Sequence, residues 1–398
     1  MATGFWRAEL PGDVDSRALT RYALLFILAY GVAGVVWMIG ARGMLDPRGE
    51  PVGYDFITFW SASWLALGGR PEAAYQMSEI AAAQQVAVTA FRGVFLWHYP
   101  PTFFLVALPL SLLPYLVSYL TFVGVTFAGL AAVVRRIVPA RGWLLGLCAF
   151  PGTFINGFQG QNGFLTASLL GGGLVLLQRR PALAGVCFGL LTVKPHLGLL
   201  IPVALALSRQ WRAFAFAAVT AVAFLGLSTA VLGRRTLEAF IDNAPVVRFV
   251  LEAGILDWDK MPTTFAAVRL IGGGVTAGYA LQGIVAAVAL AAVAWLWSRP
   301  HPLPLAVRGS GLVTAALLTP PYLFNYDMMA CILPLAWLAH EGWRKGFLKG
   351  EKAVLAAVWI APIVVFSLAK QTGVQLAPVV LLALLGVVVR RALATPAP

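Results

Sequence analysis

The sequence predicts an all-α polytopic membrane protein with about twelve transmembrane helices. Of its 398 residues, 60% are hydrophobic and only 16 are Asp or Glu, and the mean hydropathy is +0.82. The net charge of +13 is spread over short basic clusters between apolar runs, which is typical of cytoplasmic loops. These observations favour lipid as the surroundings and argue against a nucleic-acid partner.

The apolar runs give the order of the spans. Residues 22–40 form the first run, which we interpret as a retained anchor because Glu9, Asp13 and Asp15 precede it and no cleavable signal is recognisable. Residues 102–134 are long for one helix and contain two prolines, so we expect one crossing plus a re-entrant or interfacial piece. The other runs are 142–156, 163–178, 181–193, 196–208, 213–232, 276–297, 306–319, 328–339, 353–368 and 375–390.

The basic clusters predict the orientation. If they are cytoplasmic, both termini lie inside, and residues 1–398 form one membrane domain. The first loop, 41–100, and a second sizeable interval, 233–273, then face the periplasm, together with the turns that hold the polar residues considered below. The clusters are Arg135/Arg136/Arg141, Arg179/Arg180, Arg209/Arg212, Arg299/Arg308, Arg344/Lys345/Lys349/Lys352 and Arg390/Arg391.

Asp55 is the most informative residue of the first loop. It follows the first apolar run in the segment Tyr-Asp-Phe-Ile-Thr-Phe-Trp, among rings that prefer the membrane boundary. A carboxylate held there, partly out of water, is suited to accept a proton. Residues 54–67 and 72–91 predict two amphipathic helices along the surface. Their pattern fits a structural cap as well as a catalytic loop.

Polar turns interrupt several later runs. Gln159, Gln161 and Asn162 carry groups that suit sugar hydroxyls, although a polar helix–helix turn explains them equally. Lys194, between apolar runs and before a proline, must snorkel, pair with an acid or bind an anion; we favour a phosphate, with His196 beside it.

The last polar turn and the two outer intervals supply further candidates. Asp327 is expected to pair with Lys194 or Arg269, to orient a sugar, or to cap the following helix. Asn325 and Tyr326 precede it, Tyr99 ends the first loop, and Lys260 lies in the second interval. Metal-ligand spacings, a P-loop and a serine-nucleophile motif are missing from the sequence. Three cysteines in apolar runs indicate buried small side chains rather than disulfides.

These motifs resemble those of the family 87 glycosyltransferases, polytopic GT-C enzymes. The resemblance covers roughly residues 50–340. It rests on Asp-Phe-x-x-Phe-Trp at 55–60, Tyr-Pro-Pro at 99–101, Gly-Gln-Asn at 160–162, Ala-Gly-x-x-x-Gly-Leu-Leu-Thr-x-Lys-Pro at 184–195 and Arg-Gln-Trp-Arg at 209–212. The resemblance implies a GT-C bundle with surface helices in the first outer loop, Asp55 as general base, and Lys194 as the family's lysine before proline. Many relatives have His-Tyr where this chain has Asn325-Tyr326, which makes His196 a candidate substitute.

The resemblance implies an inverting transfer of a hexose, by default mannose, from a polyprenyl-phosphate donor to an acceptor hydroxyl, in a bacterial inner membrane and facing the periplasm. It implies no cofactor and no metal; the partners are membrane lipid, the donor, and a lipid or glycan acceptor. The expected donor-phosphate contacts are Lys194, His196, Arg269 and Lys260, and the expected sugar or acceptor contacts are Gln159, Gln161, Asn162, Tyr99, Asn325, Tyr326 and Asp327.

A secondary transporter or flippase is the alternative function. Transporters also build their sites from polar breaks within helices. The two halves of this sequence show no convincing repeat, however, and its polar groups gather at one face. Both features favour an enzyme.

Overall fold

A computed structural model describes residues 16–139, 142–299 and 303–395, which form an all-helical chain with two isolated β-bridges, Arg42 with Leu45 and Leu45 with Pro51. The expectations for Glu9, Asp13, Asp15 and Arg141 lie outside these residues. The α-helices of the described residues are α1 (Ser16–Gly40), α2 (Phe56–Leu67), α3 (Met77–Ala87), α4 (Pro101–Ala107), α5 (Tyr115–Ile137), α6 (Trp143–Ala149), α7 (Pro151–Phe158), α8 (Gly163–Leu176), α9 (Pro181–Leu190), α10 (Ile201–Leu207), α11 (Trp211–Leu232), α12 (Arg234–Asp242), α13 (Ala244–Glu252), α14 (Thr264–Leu270), α15 (Val275–Trp297), α16 (Leu305–Leu318), α17 (Ile332–Lys345), α18 (Glu351–Thr372) and α19 (Ala377–Ala394). Short 3₁₀ helices lie at Pro71–Tyr75, Leu110–Leu112, Leu191–Val193, Pro195–Gly198, Trp258–Lys260 and Asn325–Cys331.

Long apolar helices make this an integral membrane protein. Within the described residues, six helices are long and apolar enough to cross a bilayer, namely α1, α5, α11, α15, α18 and α19. Six shorter apolar segments accompany them. A segment of 14 residues such as α8 extends about 21 Å, less than the roughly 30 Å of a hydrocarbon core. The expected total of about twelve crossings therefore stays a prediction.

Prolines break two of the predicted runs. The stretch 102–134 divides into α4, a 3₁₀ turn and α5, so it contains one long helix after a short piece, in line with the sequence. The stretch 142–156 does not form one span. It divides into α6 and α7 because Pro151 begins the second helix at a position where the first cannot continue.

The first loop differs from its predicted form at α2. Nine of the twelve α2 residues are buried, so α2 is an interior helix and not an amphipathic surface helix. The ring of Phe59 lies 4.9 Å from that of Phe103 and 5.7 Å from that of Phe122. A helix that is apolar on all sides becomes buried, and α3 covers this one. α3 is amphipathic as expected, since it buries Ile80, Ala83, Gln84 and Ala87.

The described side chains form two large hydrophobic clusters. One joins the second half of α5 to α8–α10 and α15–α19. The other joins α2, α3 and α4 to the first half of α5. Because α5 contributes to both, the first loop is packed onto the bundle through this helix, and the polar turns lie where the two clusters meet.

Two glycines bring α9 and α11 into close contact. A methyl group on Gly185 would lie 2.4 Å from the carbonyl oxygen of Ala213, and one on Gly189 would lie 2.6 Å from that of Ala217. Glycines four residues apart on one helix face allow two membrane helices to approach at backbone distance. Small residues here are therefore a packing requirement.

Replacing Gly185 with alanine should destabilise the protein by about 1–3 kcal/mol, because the backbone of α11 cannot move aside easily. The matched control is Gly226→Ala in α11, where a methyl group meets nothing within 4 Å and the higher helix propensity of alanine should help. Thermal unfolding of the purified protein in detergent measures both. Equal unfolding temperatures for the two variants would contradict the close-contact explanation.

Candidate active site

A buried carboxylate holds the loop that carries Asp55. Asp46 accepts hydrogen bonds from the Tyr54 hydroxyl at 2.6 Å, the Trp37 indole N–H at 3.3 Å and the backbone N–H groups of Arg48 and Glu50. Gly53 and Tyr54 both have positive φ, so the chain turns sharply just before α2. Asp55 then occupies the N-cap position of α2, but its side chain makes no capping bond. Its carboxylate is therefore not used to cap α2.

Asp55 is half-buried, and its environment changes its acidity. Burial raises the pKa of the Asp55 carboxyl from 3.8 to about 6, because a charged carboxylate loses its hydration there. A hydrogen bond with Gln161 and the positive charges of Lys260 and Lys194 oppose this effect. A pKa near neutrality suits a group that accepts a proton at ordinary pH.

Lys194 lies at a helix break and is buried. It separates two 3₁₀ helices, because Pro195 prevents a continuous helix. Its Nζ lies 2.5 Å from Oδ1 of Asp327, 3.3 Å from Oδ1 of Asn162 and 4.6 Å from the centre of the Tyr326 ring. Since Lys194 is only 4% exposed, the snorkelling alternative is wrong. Two partners were expected for Asp327, Lys194 and Arg269, and the structure places Lys194 beside it.

Asp327 acts both as an ion-pair partner and within a capping arrangement. While Oδ1 faces Lys194, Oδ2 accepts a hydrogen bond from the backbone N–H of Phe324 at 3.1 Å. The two alternatives from the sequence, pairing and capping, are therefore both realised. The hydrogen bond from Phe324 fixes the Asp327 carboxylate and, through the ion pair, the position of the Lys194 ammonium group.

The turn after α7 connects Asp55 with Lys194. Gln161 contacts Asp55, and the neighbouring Asn162 contacts Lys194. The Tyr99 hydroxyl donates to Oε1 of Gln161 at 3.1 Å. Gly160 has φ +57°, and a methyl group there would lie 2.5 Å from Cβ of Phe56, so only glycine lets this turn approach α2. Five residues predicted from the sequence are thus brought together, namely Asp55, Tyr99, Gln161, Asn162 and Lys194.

Several buried polar atoms, in this turn and beside Tyr99 and Lys194 in the sequence, have no hydrogen-bond partner within the described residues. They are Nδ2 of Asn156, Oε1 of Gln159, Nδ2 of Asn162, Nε2 of His98 and Nε2 of His196. Buried donors and acceptors without partners are costly in a folded protein. The atoms of Asn156, Gln159 and Asn162 belong to the turn itself, so a polar ligand bound there could satisfy them.

Three other predicted residues, Lys260, His196 and Asn325, have the following surroundings. Lys260 pairs with Asp257 at 2.5 Å, and its charge acts on Asp55. The His196 ring lies 6.3 Å from that of Tyr322. Asn325 is buried, at 5% exposure.

Arg269 has a structural environment. Its guanidinium donates to the carbonyls of Gly273 and Glu252 and stacks on Trp258 at 4.5 Å. In the described part of the chain, no contact joins Arg269 to Lys194 or Asp327. The structure therefore shows Arg269 joining parts of the 233–273 interval, apart from the Lys194–Asp327 pair.

Three residues near the site, Asp46, Asn156 and His98, were not predicted from the sequence. Asn156 lies within an apolar run, and its Oδ1 accepts the backbone N–H of Gly163 at 2.7 Å, which holds the start of α8. His98 lies 3.4 Å from Asn243, which joins the first loop to the second interval. A polar residue inside an apolar run was the available signal for Asn156. No local pattern marks the other two.

Broken helices that bring an aspartate, a buried lysine–aspartate pair and unpartnered amides together define a polytopic membrane protein with a polar ligand site. The sequence profile of Glycosyltransferase family 87 matches residues 97–321, which is more than half of the chain. The protein belongs to this family and is a glycosyltransferase. No curated protein and no solved structure matches the chain. The matched segment includes Tyr99, Gln161, Asn162 and Lys194, whereas Asp55 and Asp327 lie outside it.

Breaking the Lys194–Asp327 pair should destabilise the fold and remove activity. Lys194→Met or Asp327→Asn alone leaves the other member without its partner, at a cost of about 3–5 kcal/mol. The double variant should unfold at a higher temperature than either single variant, because no charge is then buried alone. It should nevertheless stay inactive.

Thermal unfolding and transfer assays on all three variants measure these effects. The control is Arg70→Met, which removes an exposed pair with Glu79 and should change little. An active double variant would reduce Lys194 to a structural role.

Proposed function

We propose that this protein transfers a hexose, by default mannose, from a polyprenyl-phosphate donor to an acceptor hydroxyl with inversion at C1. The observation that carries this proposal is the arrangement of Asp55 and Lys194 on either side of the Gln161–Asn162 turn. One side offers a base and the other offers a cation. An inverting transfer needs both groups, one at the attacking oxygen and one at the leaving phosphate.

Asp55 is the general base in this proposal. It accepts the proton of the acceptor hydroxyl as that oxygen attacks C1 of the donor sugar. Its pKa of about 6 leaves it ionised at neutral pH and more basic than an ordinary aspartate. The hydrogen bond with Gln161 orients the carboxylate.

Lys194 stabilises the leaving polyprenyl phosphate. An ammonium group has three donors, and Asp327 and Asn162 use two of them. The third has no hydrogen-bond acceptor among the described residues, with the Tyr326 ring 4.6 Å from Nζ, and in this proposal it donates to a phosphate oxygen without loss of the ion pair. Nε2 of His196 and Nδ2 of Asn162 lack partners and supply further contacts, while Lys260 contributes positive charge nearby.

The remaining polar residues of the site bind the sugars. Tyr99, Gln159, Gln161, Asn325 and Tyr326 carry hydroxyl or amide groups suited to sugar hydroxyls. Tyr326 also presents its ring to Lys194 at 4.6 Å. Because two of these residues form the turn between Asp55 and Lys194, a sugar bound there would lie between base and cation.

The proposed location is the periplasmic face of a bacterial inner membrane. The basic clusters predict the opposite ends of the helices to be cytoplasmic. A donor that is already a phosphodiester needs no nucleotide at the moment of transfer, which agrees with a sequence that carries no P-loop motif.

Replacing Asp55 with asparagine should abolish transfer and leave folding and donor binding intact, because the amide keeps the size of the carboxylate but cannot accept the proton. Radiolabelled polyprenyl-phosphate-mannose with crude membrane lipid measures transfer, and thermal unfolding measures folding. The matched control is Glu50→Gln, a neighbouring acid whose charge only raises the pKa of Asp55.

Full activity of the Asp55→Asn variant would remove the base assignment. Uptake of a labelled solute into proteoliposomes, with no new glycosidic bond, would instead favour the transporter alternative.

The pH dependence of kcat/KM for transfer should follow the ionisation of Asp55. Protonated Asp55 cannot act as a base, so kcat/KM should fall about tenfold per pH unit below the pKa and level off above it. Lys260→Gln removes a charge that lowers this pKa, so its acid limb should move to higher pH. Lys349→Gln, an exposed lysine in a predicted cytoplasmic cluster, is the control. An acid limb that stays in place or moves to lower pH in Lys260→Gln would contradict the assignment.

A further inference from the structure

Three basic side chains are almost fully buried in the part of the chain that the structure describes. Lys194 is 4% exposed, Arg308 4% and Arg391 7%. Lys194 pairs with Asp327, and Arg391 forms a two-bond ion pair with Glu351. Among the described residues, no acidic side chain forms an ion pair with Arg308. A buried charge without an anion is costly, so Arg308 lacks the kind of partner that stabilises the other two.

The Arg308 guanidinium makes a cation–π contact but no hydrogen bond within the described residues. Its Cζ lies 4.9 Å from the centre of the Trp297 ring, and its Nε is buried without a partner. The Trp297 indole donates to Arg308 O at 3.1 Å, which holds the two residues together. A guanidinium carries five N–H donors in one plane. The ring therefore covers a face of the group, while the donors at its edge remain to be satisfied.

The start of α16 supplies further donors. Arg308 lies in the first turn of this helix, where Val307 and Arg308 both donate their backbone N–H groups to Pro304 O. Within the described residues, the N–H groups of Leu305 and Ala306 precede these bonds. A helix N-terminus favours an anion, and the side chains of a helix tilt toward that end. The helix start and the guanidinium thus favour the same kind of ligand.

Trp297 also marks the depth of Arg308 in the membrane. It is the last residue of α15, whose 23 residues extend about 34 Å, slightly more than the roughly 30 Å of a hydrocarbon core. Trp295 is 36% exposed, and Arg299 stacks on its ring at 4.8 Å. Tryptophan and arginine at the end of a span are typical of the headgroup region. The anionic groups of that region are the phosphates of lipids.

We propose that Arg308 binds the phosphate group of an anionic phospholipid at the predicted cytoplasmic surface. Two N–H groups of the guanidinium donate to two phosphate oxygens, an arrangement that suits arginine better than lysine. The phosphate thereby supplies the anion that Asp327 and Glu351 supply to the other two buried cations. The proposal does not depend on the reaction, since no hydrogen bond or ion pair joins Arg308 to Asp55 or Lys194 within the described residues.

Lipid binding and thermal unfolding test the proposal. Delipidated protein in detergent is titrated with dioleoylphosphatidylglycerol, and bound lipid is measured by native mass spectrometry. Arg308→Met should bind this lipid about tenfold more weakly, because charge-assisted hydrogen bonds to the phosphate are lost. The lipid should raise the unfolding temperature of the unchanged protein but not that of Arg308→Met. Without lipid, Arg308→Met should unfold at the same or a higher temperature, since it removes a buried charge that has no anion.

Two further variants separate charge, geometry and position. Arg390→Met removes an exposed arginine on the same predicted side, which donates to Lys349 O at 3.1 Å, and it should bind the lipid like the unchanged protein. Arg308→Lys keeps the charge but has no planar fork, so its binding should be weaker than that of the unchanged protein. It also keeps the test valid if Arg308→Met does not fold.

Four outcomes would overturn the proposal. Equal binding of phosphatidylglycerol by Arg308→Met and Arg390→Met would remove Arg308 from any lipid site. Equal stabilisation by inorganic phosphate would assign Arg308 to a free anion, and equal stabilisation by phosphatidylcholine would show bulk lipid only. An unfolding temperature lowered equally in Arg308→Met with and without lipid would show that the partner of Arg308 is part of the protein.

Discussion

The buried charge of Lys194 is the constraint on which the site depends. An ammonium group within an apolar bundle is stable only with an anion and further polar contacts. Asp327, Asn162 and the Tyr326 ring provide them, and each comes from a place where a helix begins or breaks. The 3₁₀ helices on both sides of Lys194 and the one that contains Asp327 follow from this requirement, because regular α-helices would not bring these three segments to one point. Broken helices here are thus the consequence of a charge that must stay inside.

The pKa of Asp55 depends on several opposing effects. Burial raises its pKa, while Gln161 and two lysines lower it. Lys194 is permanently engaged by Asp327, so part of its field on Asp55 is neutralised. Lys260 forms an ion pair with Asp257 at the surface, so its field on Asp55 is also partly neutralised. A carboxyl close to unpaired cations would ionise fully and be a poor base. The two ion pairs therefore help to keep the pKa of Asp55 near neutral pH.

Much of the site was predictable because charges are rare in this sequence. With 16 acids in 398 residues, a lysine between apolar runs had few acids to pair with, and Lys194 was one of the two partners expected for Asp327. The burial of α2 was not predictable from composition, since aromatic residues among small ones suit a membrane surface and a protein interior alike. The role of Asp46 depends on a turn with two positive φ values, which no local pattern specifies.

Asp46 supports the segment that carries the proposed base. One of its oxygens accepts hydrogen bonds from the indole of Trp37 and from the hydroxyl of Tyr54, which precedes Asp55. The other receives two backbone N–H groups of the connecting loop. The rings of Trp37 and Phe158 also contact the ring of Tyr54. A carboxylate with four donors is held firmly, so Asp46 fixes Tyr54 and the start of α2. Asp46 therefore sets the place at which an acceptor hydroxyl would meet the proposed base.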